Sequence, residues 1–398
     1  MMRQGLYFRR ANICTVFYEY FRHRVSRENV HFIRNLSLSQ SKFAEDIFYS
    51  HLFNPLYPVP TVVNMSGTIK AWTFTHGGYP KALQLSTIPH DTAPIRPTEM
   101  RVRTKAASIN PVDVQLMSYP LLSHLPNFIV PSNKGVGEDF SGVVEEAGTD
   151  TGFKAGDEVF GITPFIPGGT LKEEIIVDTR KSVIINKPKD WSWEQAAALP
   201  LVWLTARTTI EQVEPYVKNG RVSILGGSSS CGMYAVFIAK QRGWTVVASC
   251  SSRNANFVCS MGADKTIDYT TTSVPDEVKA FAPDAIIDFV GGKECLGIAK
   301  RYVTVVGDKT DRMLPGGRYI YLWNPQMLLR ALAGRVGLGN SYTCINLEFE
   351  KQFLEEVLSL SQEKIIIDEL FGFGEVKEAF DKLNTGRTRG KIIIKVSM

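Results

Sequence analysis

Gly226, Gly227 and Gly232 frame a short run, GGSSSCG, whose residue types suit the binding of a pyrophosphate. Glycine lets a backbone turn sharply and come close to an anion. Ser228, Ser229 and Ser230 add hydroxyl donors, and Cys231 completes the turn. A helix opening at Gly232 would offer free N–H groups and the positive end of its dipole to the same anion. The spacing departs from G-x-G-x-x-G, because positions 228 and 231 hold Ser and Cys where glycine is needed. Taken alone, the run also fits a βα turn in some other α/β enzyme.

The residues about twenty positions on refine the chemistry. A site for NAD usually places Asp or Glu there to hold the ribose hydroxyls. Here the tip reads Ser251-Ser252-Arg253, with no acid before Asp264. Hydroxyls and a guanidinium suit a 2′-phosphate, so the tip favours NADPH over NADH. An ordinary solvated arginine is the simpler alternative for Arg253.

These residues need elements to hold them. Residues 222–225 form an apolar run of the kind that fills a parallel strand buried on both faces. Ala235, Val236, Ile238 and Ala239 would pack the following helix on a sheet, and 245–249 reads as the next strand. Together they make one βαβ unit. Upstream, 65–190 is β-rich. Its strand-like runs are 69–74, 100–107, 141–147, 158–162 and 173–177, separated by glycine and proline as in a small barrel. From 191 the pattern alternates. Helices are expected at 193–201, 205–213 and 256–261, and strands at 265–268, 285–290, 302–306 and 341–347. That alternation implies a doubly wound parallel sheet. An amphipathic helix at 349–360 and a strand at 391–396 close the chain.

Composition bounds the function. The chain has 398 residues, 44% hydrophobic and 21% charged, which suits two or three globular domains. A net charge of +5 without a basic, aromatic-laced stripe argues against nucleic acid. The six cysteines form no CxxC, and all six histidines lie at or before position 124. That spacing excludes a structural zinc site and a disulfide framework, and free thiols fit a reducing, cytoplasmic compartment. No apolar run is long enough to span a bilayer.

Residues 1–64 form an extension with seven arginines and many aromatics, and the first eighteen residues contain no acid. A mitochondrial presequence, an artefact of the gene model with the true start at Met65, and an interaction tail all remain open.

Seven motifs in order extend the reading: ASINPVD at 107–113, GEDFSGVV at 137–144, FKAGDEV at 153–159, AAALPL at 196–201 with LTA at 204–206, GAD at 262–264 with IDY at 267–269, DFVGG at 288–292, and GRTRGK at 386–391. With them the chain resembles the medium-chain dehydrogenase/reductase superfamily, in its zinc-free, quinone-oxidoreductase-like branch. That branch includes fungal zinc-type alcohol dehydrogenase-like members. The resemblance covers about 66–398. It implies an α/β chain, with a GroES-like β-barrel catalytic domain at 65–190 plus 350–398 and a Rossmann doubly wound sheet at 191–349. In zinc-dependent members the stretch matching GED carries a ligand histidine. Here it has none, so no metal is expected.

The resemblance further implies where the cofactor lies. Asn110 and Thr205 would stand near the nicotinamide ribose and phosphates, Tyr269 near the adenosine phosphate, and Val290, Gly291 and Gly292 along the cofactor. Arg387, Arg389 or Lys391 would reach it from the returning chain. Plainer roles exist for several of these. Asn110 before Pro111 suits a turn, Tyr269 a half-buried strand, and the terminal cations a solvated hairpin.

The reaction so implied is hydride transfer from NADPH to a quinone or an α,β-unsaturated carbonyl, an enoyl-reductase-like chemistry without zinc. Tyr119 is a candidate proton donor, or else an aromatic of the cleft wall. Asp113 orders its loop. Two other readings stay open. One is an NADPH-binding protein that acts through partners without turnover. The other is attachment to a lipid surface, such as a lipid droplet, through the basic, apolar segment 328–336. The resemblance also implies a homodimer, through edge strands such as 341–347.

Overall fold

The sequence places β-branched and aromatic runs between glycine and proline in its first half, and these become the antiparallel strands. The computed structural model describes residues 67–75, 78–118, 134–164, 168–309, 316–322 and 324–397, without the side chains of 318, 319 and 322. All of them fall within one unit, Asn64–Met398. Strands β1 (Thr68–Phe74), β2 (Leu83–Pro89) and β3 (Glu99–Ile109) precede a short helix, α1 (Pro111–Met117). Then follow β4 (Lys134–Gly135), β5 (Asp139–Ala147), β6 (Glu158–Ile162), β7 (Glu174–Asp178) and β8 (Val183–Asn186). β1 pairs with β2 and β4 in a small sheet, and β3, β5, β6, β7 and β8 all join a seven-stranded sheet.

The second half alternates. Helix α2 (Trp193–Ala197) is closed by Pro200, which opens α3 (Pro200–Val213) at its first position. The two helices expected at 193–201 and 205–213 are present, but the break between them falls earlier, before Pro200, where proline has no N–H to donate. Next come β9 (Arg221–Leu225), α4 (Ser230–Gln241), β10 (Thr245–Cys250), α5 (Ala255–Ser260), β11 (Lys265–Asp268) and α6 (Val274–Phe281). β12 (Ala285–Asp288), β13 (Arg301–Thr304), α7 (Pro325–Arg335) and β14 (Ser341–Cys344) complete this lobe. Its six strands run parallel in the order β11-β10-β9-β12-β13-β14. The expected doubly wound sheet is thus present.

The core follows from composition. Val222 and Ile224 on β9 are fully buried, as are Val236 and Ala239 on α4. Burial of each valine or isoleucine side chain stabilises the fold by roughly 1.5–3 kcal/mol, and of the alanine methyl by about 0.8 kcal/mol. Trp203 of α3 packs on Tyr234 of α4 with ring centroids 5.6 Å apart.

The chain then returns. Helix α8 (Lys351–Glu355) passes into a 3₁₀ turn at Glu356–Ser359, so the amphipathic helix expected at 349–360 is shorter and tighter. β15 (Ile367–Gly372), α9 (Val376–Asn384) and β16 (Lys391–Lys395) end the fold. β16 lies between β15 and β3, so the last strand sits inside the first half's sheet. No helix among the described residues is long and apolar enough to cross a membrane.

Candidate functional site

The parallel sheet reverses its winding direction between β9 and β12, and the crevice beyond their carboxyl ends is where such sheets bind ligands. The loops after β9 and β12 meet there. Gly226 has φ +84°, and a Cβ on it would stand 2.6 Å from Val290 Cγ1. At Gly227 a Cβ would meet the Ala248 Cβ at 2.7 Å, and at Gly232 the Gly226 carbonyl oxygen at 2.1 Å. Each glycine therefore holds a place that a side chain would fill: the left-handed turn, the contact with β10, and the seat of the helix on the turn.

The three serines do different work. Ser229 caps α4: its hydroxyl accepts from Gly232 N at 3.0 Å and donates to Gly226 O at 2.8 Å. Ser230 donates to Gly390 O at 2.8 Å. Ser228 has no side-chain partner among the described residues. Helix geometry leaves the N–H groups of Ser230 and Cys231 without an intrahelical acceptor. A pair of open N–H groups over a glycine cradle fits a diphosphate. Burial pushes the Cys231 thiol up to about 11, so it stays protonated beside Thr205. Thr205 itself donates to Leu201 O at 2.7 Å.

At the tip, Arg253 is exposed and has no hydrogen-bond or ion-pair partner among the described residues. Ser251 and Ser252 precede it, and the pairing of β10 with β11 brings Asp268, at the end of β11, beside Cys250 just before them. Asp268 accepts from Thr270 N at 2.9 Å and Thr270 Oγ1 at 2.7 Å. Those bonds, Thr270's hydroxyl foremost, hold its carboxyl below the usual range. Spacing along the chain missed this acid, because it comes from the neighbouring strand. The register of β10 on β11, Cys250 beside Asp268, is the signal that finds it. Tyr269 and Val290 are half or more exposed, at 59% and 50%. Arg389 stacks on Phe257 of α5 at 5.2 Å.

Asp288, fully buried at the end of β12, shapes the facing loop. Its Oδ1 accepts from Val290 N and Gly291 N, both at 2.9 Å, and its Oδ2 from Thr304 Oγ1 at 2.8 Å.

Three neighbouring strands, β16, β3 and β5, build a second polar cluster beside the turn. Ser108 and Asn110 lie two residues apart, on one face of β3 and its extension. Asp139 opens β5 opposite Ser108, and Lys391 opens β16. Asp139 Oδ2 accepts from Ser108 Oγ at 2.6 Å, Asn110 Nδ2 at 2.9 Å and Lys391 Nζ at 3.0 Å; its Oδ1 accepts from Leu201 N at 2.7 Å. Lys391 also donates to Asn110 Oδ1. Lys391 is thus a buried ion-pair partner and not a solvated arm.

Asp113 accepts from Asn110 N at 2.6 Å, closing the start of α1. Burial raises its carboxyl to about 7, against the opposing pull of the Asn110 N–H and the Lys391 charge. Tyr119 lies outside the described residues.

Zinc does not fit this cluster. The GED stretch offers one carboxylate there, and both its oxygens are engaged by the four donors above. Among the described residues no group of three His, Cys, Asp or Glu could hold a metal.

The chain matches known proteins across this architecture. Residues 96–188 match a family model described as alcohol dehydrogenase GroES-like domain, and 261–394 one described as zinc-binding dehydrogenase. It is 30% identical over 400 residues to the mitochondrial NAD(P)H oxidoreductase RTN4IP1 of Mus musculus, covering 92% of this chain and 99% of that one. It is 32% identical over 359 residues to the trans-enoyl reductase pgmF of Aspergillus terreus, covering 83% and 96%. Among solved structures, the quinone oxidoreductase of Coxiella burnetii superposes with a TM-score of 0.67 at 30% identity, covering 83% and 100%. The chain belongs to the medium-chain dehydrogenase/reductase superfamily and is quinone-oxidoreductase-like, with a GroES-like barrel beside a Rossmann sheet.

Proposed function

We propose that this member of the superfamily is a zinc-independent, NADPH-dependent reductase of quinones or α,β-unsaturated carbonyls. The observation that carries this reading is the junction of the glycine cradle with the buried cluster: Ser230 is bonded to Gly390, the neighbour of Lys391. The bond sets the glycine turn next to the Asp139–Lys391 cluster, which supports a diphosphate site lying beside a second polar site. The names of the relatives, an NAD(P)H oxidoreductase, a trans-enoyl reductase and a quinone oxidoreductase, support the cofactor and acceptor class.

On this reading Gly226, Gly227, Ser228, Ser230, Cys231 and Gly232 hold the diphosphate, with Ser229 shaping the turn. Ser251, Ser252 and Arg253 take the 2′-phosphate. Tyr269 and Arg389 flank the adenosine half, Val290 and Gly291 line the middle, and Thr205 and Asn110 face the nicotinamide half. Lys391 acts from beneath. Tyr119 is kept as a proton donor. When bound, the dihydronicotinamide supplies the hydride. The protein's part is to orient the reactants and exclude water.

We assign 65–190 with 350–398 to the catalytic lobe and 191–349 to the cofactor lobe. The pairing of β16 with β3 supports this division. A homodimer through β14, the outer strand of its sheet, is proposed as well. For residues 1–64 we favour a mitochondrial presequence over a gene-model artefact and a purely cytoplasmic protein. The likeness to the mouse protein, named mitochondrial, spans 92% of the chain, a share that residues 65–398 alone cannot supply.

A second reading is a non-catalytic NADPH binder, and attachment to a lipid surface through 328–336 draws on Leu329 within α7 and Val336 just after it, which are 61% and 51% exposed. Calorimetric titration with NADPH and NADH, followed by NADPH consumption against quinones and enones, separates the two. Tight binding without turnover on any acceptor would favour the binder, and flotation with lipid droplets would add the surface.

A further inference from the structure

An amide side chain has nearly the same shape when turned over, so its orientation comes from its neighbours. At Asn110 both neighbours are ions. The Lys391 ammonium, which can only donate, faces Oδ1, and the Asp139 carboxylate, which can only accept, lies 2.9 Å from Nδ2. Turning the amide would set N–H against ammonium and oxygen against carboxylate together. The two ions are joined at 3.0 Å and are 2% and 0% exposed, so water does not weaken their hold. Of the two Nδ2 hydrogens, one goes to Asp139; the other has no partner among the described residues.

We propose that Lys391 and Asp139 are positioning residues that hold the Asn110 amide so that its second Nδ2 hydrogen meets the acceptor's carbonyl oxygen, on which enolate or phenolate charge develops. The proposal rests on the reductase reading above. The hydride carries its electron pair from the dihydronicotinamide, which is oxidised, to the acceptor, which is reduced. Negative charge grows on the acceptor oxygen, and a proton, delivered through Tyr119 on the reading above, then neutralises the product. A fixed N–H dipole stabilises that charge without having to reorganise. The ammonium draws electron density toward Oδ1 and makes the N–H a stronger donor. Lys391 thus acts through Asn110 and not as a ligand of the cofactor phosphates.

The test uses the full chain, calorimetric titration with NADPH, thermal unfolding, and turnover with 9,10-phenanthrenequinone as the acceptor probe. Lys391→Met or Asp139→Asn alone strands a buried charge and is expected to unfold readily, whereas the double variant removes both charges and recovers the fold. The double variant should bind NADPH within about threefold of wild type but lose about 10–100-fold in kcat. Asn110→Ala, which leaves the ion pair whole, should show the same split. Lys395→Ala, an exposed cation on the same strand, should match wild type.

Wild-type kcat in Asn110→Ala overturns the proposal whatever the other variants do. So does a double variant with wild-type kcat, which would make the pair structural, or one whose NADPH affinity falls in step with kcat, which would make Lys391 a cofactor ligand. Wild type that binds NADPH yet reduces neither quinone nor enone removes the reductase reading and this proposal with it.

Discussion

Ser230 donates its hydroxyl to the carbonyl oxygen of Gly390 at 2.8 Å, across 160 positions of sequence. The bond joins the turn that opens α4 to the residue just before β16. Gly390 has φ +106°, and a Cβ there would lie 2.5 Å from Ile366 O, so the return path itself demands glycine. Lys391 enters the Asp139 cluster directly after it. Turn, return strand and cluster are therefore placed relative to one another by backbone as well as by side chains.

Arg253→Ala should weaken NADPH binding by roughly 10–100-fold while leaving NADH unchanged, the range expected for losing one charge-assisted contact to a phosphate. Titration calorimetry reads both. Equal affinity of the wild type for the two cofactors would remove the 2′-phosphate from the account.

In Gly232→Ala the new Cβ meets the Gly226 carbonyl oxygen at 2.1 Å and Ser229 Oγ at 2.8 Å. Alanine favours helices by about 1 kcal/mol over glycine, yet here the turn must open to admit it. NADPH affinity should fall by at least about tenfold, which is 1.4 kcal/mol. Gly339→Ala, with nothing within 4 Å of its Cβ, serves as the control. Unchanged affinity in the 232 variant would mean that the cradle is not the diphosphate site.

Asp288→Asn keeps the shape and loses an acceptor. Thr304 Oγ1 already accepts from Val306 N at 3.1 Å and Gly307 N at 2.9 Å, so its own proton must go to Asp288. An amide nitrogen in that place sets donor against donor in a buried site. The cost should be about 1–3 kcal/mol in denaturant unfolding. Asp288→Asn with wild-type stability would contradict this hydrogen-bond assignment.

Asp113 predicts a pH dependence. Its carboxyl is raised from 3.8 to about 7 in the folded chain. Between those values the folded state keeps a proton that the unfolded state has lost, so stability falls as pH rises from about 4 to about 7 and then levels. Buried Asp288, also raised, adds the same sign. Carboxyls that are lowered, such as Glu174 and Asp178, act in the opposite sense but below that window. Calorimetric Tm values between pH 5 and 8 should therefore show a shallower slope in Asp113→Asn. Equal slopes would mean that Asp113 is ionised throughout.

Much of this was legible in the sequence because it is local. The glycine turn, the apolar strand before it and the helix after it lie within twenty residues, and the winding of the sheet follows from their repetition. The buried cluster was only partly legible. Asn110 and Lys391 were found through motifs, but as residues at a cofactor and not as partners of each other. Asp139 went unweighed, because its importance comes from β16 lying against β3, a pairing that no spacing records. Asp268 was hidden for the same reason: chain distance separates it from the tip that strand pairing brings beside it. Ser229 looked like an anion donor, and only its contact with Gly232 shows it as a cap.

The place of β16 has a consequence for synthesis. Asp139 and Asn110 leave the ribosome early, yet the cation that neutralises the one and orients the other is residue 391. Until then the barrel sheet has an open slot between β15 and β3, and a bare carboxylate faces the apolar interior. The parallel sheet, β9 to β14, lies wholly before residue 391, but the barrel sheet closes only when β16 enters between β15 and β3. A chain lacking that strand would leave Asp139 and Asn110 without their cation.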